Sequence, residues 1–268
     1  MKKHGVQRII VEPTADTNPD RYREFVRSLS KFFTIHKESF LPTKTILVNL
    51  TKPEKEIFQS FSEAKRRAVR RAQKHGVVIK ESSNINDLIF IKSKSAGMFG
   101  GITTYGIDKL WNLFYPKHAT ILLAYAPSSR SVSSRGNVSD RSDPCLAGRQ
   151  VYNKDCFSRH WRDRNDKELL SGVLLLFWEQ TAYYWIAGAT KKGKRLFAPT
   201  LLVWEALKIS KKRRCRQFDF VGVLDERMPN QFKSWKGFTK FKEGFGGKEI
   251  YYPIAALNGY PKIRTTVF

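Results

Sequence analysis

The chain has 268 residues, 41% of them hydrophobic and 13% aromatic. That is enough apolar material for one large packed domain or two smaller ones, and it excludes a disordered tail. Forty-nine Lys and Arg against 24 Asp and Glu leave a net charge of +25, which favours polyanionic partners without choosing among nucleic acid, lipid headgroups and phosphorylated metabolites.

In chain order, QRIIVEP (7–13) reads as a strand stopped by proline and NPDRYREFVRSLSKFF (18–33) as a helix. TKTILVNL (43–50) is rich in β-formers. Thr51 and Glu54 have capping-box spacing with Pro53 in the first turn, so one helix is expected through Ile57, Phe58, Phe61, Ala64, Ala68 and Ala72, with Gly76 as its stop. VVIKE (77–81) reads as a strand, GIDKLWNLF (106–114) as part of a helix and ATILLAYA (119–126) as a strand. The polar stretch at about 127–168 has the composition of a long insertion. GVLLLFWEQTAYYWIAGA (172–189) is nearly long enough to cross a bilayer, yet Glu179, Gln180 and Thr181 interrupt it, which fits two strands folded about a polar turn. No transmembrane helix is expected. TKKGKR (190–195) is a basic turn, Pro199 precedes a helix over 200–214, and QFDFVGV (217–223) is a further strand. The fold class is therefore α+β, with mixed α/β alternation in the second half and a central mixed sheet flanked by helices.

Four features carry chemical interest. KRRAVRRAQK (65–74) sets Arg66, Arg70 and Lys74 four apart on one helical face, with Arg67 and Arg71 beside them. Like charges at that spacing repel, so either the face is simply solvated or it meets phosphates. Glu205 lies on the apolar stripe of its helix between Leu202 and Ile209, where an acid is either paired with a cation or held for function. Asp219 alternates with Phe218 and Phe220 on a strand, ahead of Gly222. Near the end, GFTKFKEGFGGKEIYYP (237–253) mixes glycines with phenylalanines around Lys242, a composition suited neither to an ordinary loop nor to a plain buried strand. It suggests backbone in close approach beside a cation on an apolar floor.

The three cysteines, Cys145, Cys156 and Cys215, make no even disulfide framework, which places the chain in the reducing cytoplasm. Cys145, Cys156 and His160 form a loose cluster without metal-ligand spacing, so no metal is expected. No nucleophile elbow, P-loop or dinucleotide-binding glycine fingerprint is present, and the histidines offer no evident general base.

The order of segments resembles the Fem-type (FemABX) peptidoglycan-bridge aminoacyltransferases. The matching parts are the β-run and helix carrying Arg66 to Val77, the aromatic strand ending YYWIAGA, the basic turn, the helix LLVWEALK, the strand FDFVGV and the closing FKEGFGG. They span roughly residues 40 to 253. The resemblance implies a GNAT-like acyltransferase fold and transfer of an amino acid from aminoacyl-tRNA to the stem-peptide amine of lipid II or UDP-MurNAc-pentapeptide, with no cofactor. It also implies a cytoplasmic protein, with peripheral contact to the inner face of the membrane. Lys242 and Phe241 then stand at the catalytic site, with Asp219 as a candidate base and direct acyl transfer as the mechanism. Arg66, Arg70, Tyr183, Tyr184, Glu205, Gly222, Gly244, Phe245 and Gly246 are the candidate substrate-binding residues.

Full-length members of the family carry two GNAT-like domains. Residues 1–40 resemble only the end of the first, 41–253 form the transferase domain with the insertion at about 127–168, and 254–268 read as a C-terminal tail. Two rival readings accompany this one. A GNAT enzyme using acyl-CoA would need a glycine-rich pyrophosphate loop, for which KKGKRLFAPT (191–200) is a poor match. A non-catalytic RNA-binding protein would rely on the 65–74 helix.

Overall fold

A computed structural model describes residues 9–11, 17–31, 33–36, 42–96, 106–127, 168–228, 230, 233–252 and 257–261. Most of the 127–168 insertion, with Cys145, Cys156 and His160, lies outside the described residues. The strands are β1 (Ile9–Val11), β2 (Phe33–His36), β3 (Lys44–Asn49), β4 (Val78–Ser82), β5 (Ala119–Tyr125), β6 (Leu169–Trp178), β7 (Thr181–Ala189), β8 (Gln217–Asp219), β9 (Lys248–Tyr251) and β10 (Leu257–Pro261). The helices are α1 (Pro19–Leu29), α2 (Glu54–Gln59), α3 (Glu63–Lys74), α4 (Ile85–Ala96), α5 (Ile107–Phe114), α6 (Lys191–Arg195), α7 (Ala198–Lys212) and α8 (Lys236–Glu243).

Seven strands form one mixed sheet in the order β4-β5-β6-β7-β8-β3-β9, and β1, β10 and β2 form a separate small sheet. The fold is thus the expected mixed α/β sheet with helices in its connections. β7 and β8 are parallel, in register from Thr181–Gln217 to Tyr183–Asp219. β3 runs antiparallel to both β8 and β9. The chain divides into two compact units, one of Met1–Glu63, Phe177–Tyr184 and Ser210–Phe268, the other of Ala64–Leu176 and Trp185–Ile209.

In the second unit, β5 and β6 are buried on both faces, in keeping with sequences that are apolar apart from Thr120, Tyr125 and Ser171. Gly172 on β6 leaves room for Leu88 and Leu123, and Gly188 on β7 lies against Ile91 and Ser95 of α4. In the first unit the core is aromatic. Tyr184, Phe218 and Phe220 pack together, and Phe245 bridges Phe220 to Phe61 with ring centroids 5.6 and 5.2 Å apart.

Local structure corrects several expectations. The single helix from Thr51 is two helices broken at Ser60–Ser62, because Ser62 N donates to Gly244 O rather than into a continuing helix. No capping box forms: Thr51 turns back to Asn49, with its backbone N and Oγ1 both donating to Asn49 Oδ1. The basic turn at 190–195 is a short helix whose first turn is capped by Thr190. The 217–223 strand ends its ladder at Asp219, and α4 was not legible as a helix. The 172–189 run is two strands, turning at Glu179 and Gln180 with φ of 44° and 62°. Such a turn suits the twist of a hairpin.

Candidate active site around Lys242 and Asp219

After Asp219 the chain stays beside β3 but gains a residue. Phe220 N donates to Ile46 O and Val223 N to Lys44 O, so three steps on one strand match two on the other. This is a β-bulge, and Val221 takes φ 55° to accommodate it. Bulges of this kind re-aim backbone groups, and here the Val221 and Gly222 carbonyls receive the Lys242 ammonium at 3.3 and 2.7 Å.

Lys242 sits in the last turn of α8 and is only 9% exposed. Its Nζ lies 4.9 Å from the centre of the Phe238 ring, one helical turn earlier. Burial pulls the ammonium down to about 8, and the Asp219 charge offsets this in part. A buried lysine without an acid in direct contact is uncommon, because desolvation penalises the charge. Phe241, on the same helix, makes an edge contact with Phe245.

Asp219 is 7% exposed. Its Oδ1 accepts from Thr45 Oγ1 and from Val221 N at 2.7 Å. Burial raises the Asp219 pKa above the ordinary carboxylate value, and the hydrogen bonds from Thr45 and Val221 and the Lys242 charge oppose that rise. Tyr183 is its register partner on β7. The Tyr183 hydroxyl is pushed up by burial and then by the Asp219 charge, and Tyr252 is pushed up to about 12 by burial, then by Asp219 and Tyr183. Thr45, Tyr183, Asp219, Lys242 and Tyr252 therefore form one polar cluster, all within the first unit.

The glycines of the closing segment have a defined use. Gly246 has φ 73° and a Cβ there would meet Ser60 O at 2.8 Å, while Gly247 has φ 101° and faces Leu47 O at 2.7 Å. What they approach is the chain's own backbone. Gly244 caps α8 with ordinary helical φ, and its carbonyl receives Ser62 N. Gly222 is equally constrained, since a Cβ would meet Pro42 at 2.3 Å and Trp235 at 2.6 Å.

The remaining candidates fall elsewhere. Tyr184 points into the aromatic core and Phe245 is fully buried beside it. Glu205, in the second unit, pairs with Lys208 at 2.8 Å, which satisfies its place on the apolar stripe. Arg66 and Arg70 stand on α3, whose opposite side buries Ala68, Val69 and Ala72. Among the described residues no cluster of His, Cys, Asp and Glu could hold a metal, and no helix is long and apolar enough to cross a membrane.

Sequence reasoning missed Thr45 and Tyr252, together with a clamp at the next turn. Asp225, 4% exposed, accepts from Thr43 Oγ1 at 2.6 Å and from Arg227 Nη2 at 2.6 Å, and Arg227 also donates to Thr43 O and Tyr252 O. Lys44 pairs with Glu226 and Glu249 at 2.9 and 3.0 Å. The available signal was the alternation leading into β3, where Thr43, Thr45 and Leu47 share one face and Lys44, Ile46 and Val48 the other.

The FemAB family model matches residues 149–253, a stretch holding every member of the cluster except Thr45. No curated protein matches the chain. Among solved structures, the crystal structure of FemX superposes with a TM-score of 0.63 at 16% identity, covering 96% of this chain and 73% of that one. The C-terminal domain of a putative lysylphosphatidylglycerol synthetase from Agrobacterium fabrum gives 0.52 at 12% identity, covering 94% and 67%. L-PGS from Bacillus licheniformis gives 0.52 at 12% identity, covering 99% and 71%. At these identities the likeness concerns the fold. Residues 149–253 thus match the FemAB family, and the chain shares the fold of FemX.

Proposed function

We propose that the protein is an aminoacyltransferase of the peptidoglycan-bridge kind, moving an amino acid from aminoacyl-tRNA to the stem-peptide amine of lipid II or UDP-MurNAc-pentapeptide. The observation that carries this reading is Lys242: a buried cation held by two backbone carbonyls, inside the segment matched by the FemAB family model. In the reaction the acceptor amine attacks the ester carbonyl. A C–N bond forms, the C–O bond to the ribose breaks, and the amine proton ends on the departing ribose hydroxyl. Lys242 stabilises the oxyanion that develops on the carbonyl oxygen. A preorganised, desolvated cation is worth more there than in water, because the low dielectric strengthens its field. Direct transfer needs no covalent enzyme intermediate.

The net charge of +25 suits two polyanionic substrates, and the Arg66–Arg70 face of α3 is the candidate phosphate-binding surface. The acyl-CoA alternative gains nothing from residues 191–200. Gly193 is required by packing, since a Cβ there would meet Leu170 O at 2.1 Å, so it is not evidence of a phosphate loop. The test is incubation with a charged tRNA pool and each precursor, followed by mass spectrometry of the acceptor. A mass increase of one aminoacyl residue supports the reading; an unmodified acceptor with every charged tRNA rejects it.

A further inference from the structure

Asp219 is a buried carboxylate used on one side only. Both of its hydrogen bonds reach Oδ1, and Oδ2 has no hydrogen-bond partner among the described residues. With the residue 7% exposed, that oxygen has given up water without receiving a donor in return. Lys242 is the neighbouring cation, and each side chain feels the other's charge. Nevertheless they make no direct ion pair: the ammonium is turned to the Val221 and Gly222 carbonyls, which use two of its three N–H groups. A buried anion and a buried cation are thus held apart, each with capacity left over.

An α-aminoacyl ester has the complementary arrangement. Its ammonium and its carbonyl oxygen are separated by two carbons, one group positive and the other destined to become negative. Rings of the right kind stand beside Asp219 for the ammonium. Tyr183 is its register partner across the parallel pair, and Tyr252 continues β9 along β3, where its backbone N donates to Thr43 O. Aromatic faces next to a carboxylate favour a desolvated ammonium.

We propose that Asp219, flanked by Tyr183 and Tyr252, binds the free α-ammonium group of the aminoacyl donor and orients its carbonyl oxygen toward Lys242. This rests on the aminoacyl-tRNA reading above and adds what that reading leaves open, namely how the enzyme selects an aminoacyl group over a neutral acyl group. A neutral acyl group of the same size leaves Asp219 Oδ2 buried and unpaired, a penalty of the kind by which polar sites reject analogues lacking a hydrogen-bonding group. The role is binding, which removes Asp219 from the candidates for general base.

The test uses two minihelix RNAs ending in a hydrolysis-resistant ribose amide, one alanyl and one propionyl. The pair differ only by the amino group. Wild type is expected to bind the alanyl conjugate about tenfold or more tighter. Asp219→Asn keeps the acceptor for Thr45 and Val221 and is expected to reduce that preference to under about threefold. Tyr183→Leu leaves Asp219 itself untouched and is expected to lower the preference about threefold. Equal binding of both conjugates by wild type, or full retention of the preference in both variants, overturns the ammonium site while the donor reading stands. If wild type binds neither conjugate, the donor reading fails and takes the ammonium site with it.

Discussion

Replacing Lys242 with methionine keeps an unbranched side chain, one heavy atom shorter, and deletes its charge, and the structure says what this does to stability. Burial lowers the Lys242 ammonium from its ordinary 10.5 to about 8. That displacement corresponds to about 3 kcal/mol of destabilisation carried by the folded state whenever the lysine is protonated. Below about pH 8 both folded and unfolded chains hold the proton, so the cost is fully present. Between about 8 and 10.5 the folded lysine has lost its proton while the unfolded one retains it, so stability rises with pH and the cost disappears. Methionine escapes the cost but leaves the Val221 and Gly222 carbonyls without their donor, a loss of about 1–2 kcal/mol. At about pH 7 Lys242→Met is therefore expected to be more stable than wild type by about 1–2 kcal/mol, and at about pH 10 that advantage is gone, leaving the variant less stable by up to about 1 kcal/mol. Urea unfolding of both proteins across that range measures the difference directly. A difference that stays flat from about pH 7 to 10 would refute the reasoning, because it would mean the lysine is not desolvated. Gain of stability on removing a residue is the mark of a site maintained for function.

Other consequences follow from particular contacts. Gly246→Ala, with φ of 73° and Ser60 O 2.8 Å from the new Cβ, is expected to cost about 2 kcal/mol or more, read as a lowered thermal midpoint. Asp225→Ala strands the partly buried Arg227 and is expected to cost about 3 kcal/mol in chemical unfolding. Burial alone would raise the Asp225 carboxyl, but hydrogen bonds from Arg227 and Thr43 outweigh it and hold the group below its ordinary range. Its contribution is thus complete above the unfolded value and lost as pH falls through the folded one, so the gap between wild type and Asp225→Ala should close in acid. Arg66→Ala combined with Arg70→Ala is expected to weaken RNA binding and to flatten the salt dependence by a slope of roughly 1.4 to 1.8, for two phosphate contacts. An unchanged slope would remove that face of α3 from the interface.

The parts of the fold legible in the sequence were those whose physics is local. The hairpin over 172–189 announced itself because a charge cannot sit in the middle of an apolar span, and β6 and β7 do turn at Glu179. Residues 200–212 and 107–114 carried helical periodicity and are helices. The break between α2 and α3 was not legible, because it is imposed from elsewhere: Gly244, far along the chain, supplies the carbonyl that Ser62 takes instead of continuing the helix. α8 was hidden for a related reason, since glycines and phenylalanines depress helical propensity, while the bonds that tie the helix down are long-range: Thr239 Oγ1 accepts from Leu224 N, and Lys242 donates to the Val221 and Gly222 carbonyls.

For the site, composition pointed to Lys242 and strand alternation to Asp219. What composition could not supply was the bulge at Val221, which turns two carbonyls toward the ammonium, or the pairing of β8 between β7 and β3, which brings Tyr183 and Thr45 to the carboxylate. Those are long-range register facts. The glycines were correctly read as points of close approach, but the partner is Ser60 and Leu47 backbone. Glu205 illustrates the opposite outcome, an acid whose position is accounted for by Lys208 one turn away.

The most direct measurement is single-turnover transfer of a labelled amino acid from charged tRNA to UDP-MurNAc-pentapeptide or lipid II, for wild type and Lys242→Ala, with tRNA binding measured in parallel. The account predicts transfer by wild type and a loss of about a hundredfold or more in the variant, with tRNA affinity retained. Transfer by Lys242→Ala at the wild-type rate would contradict it.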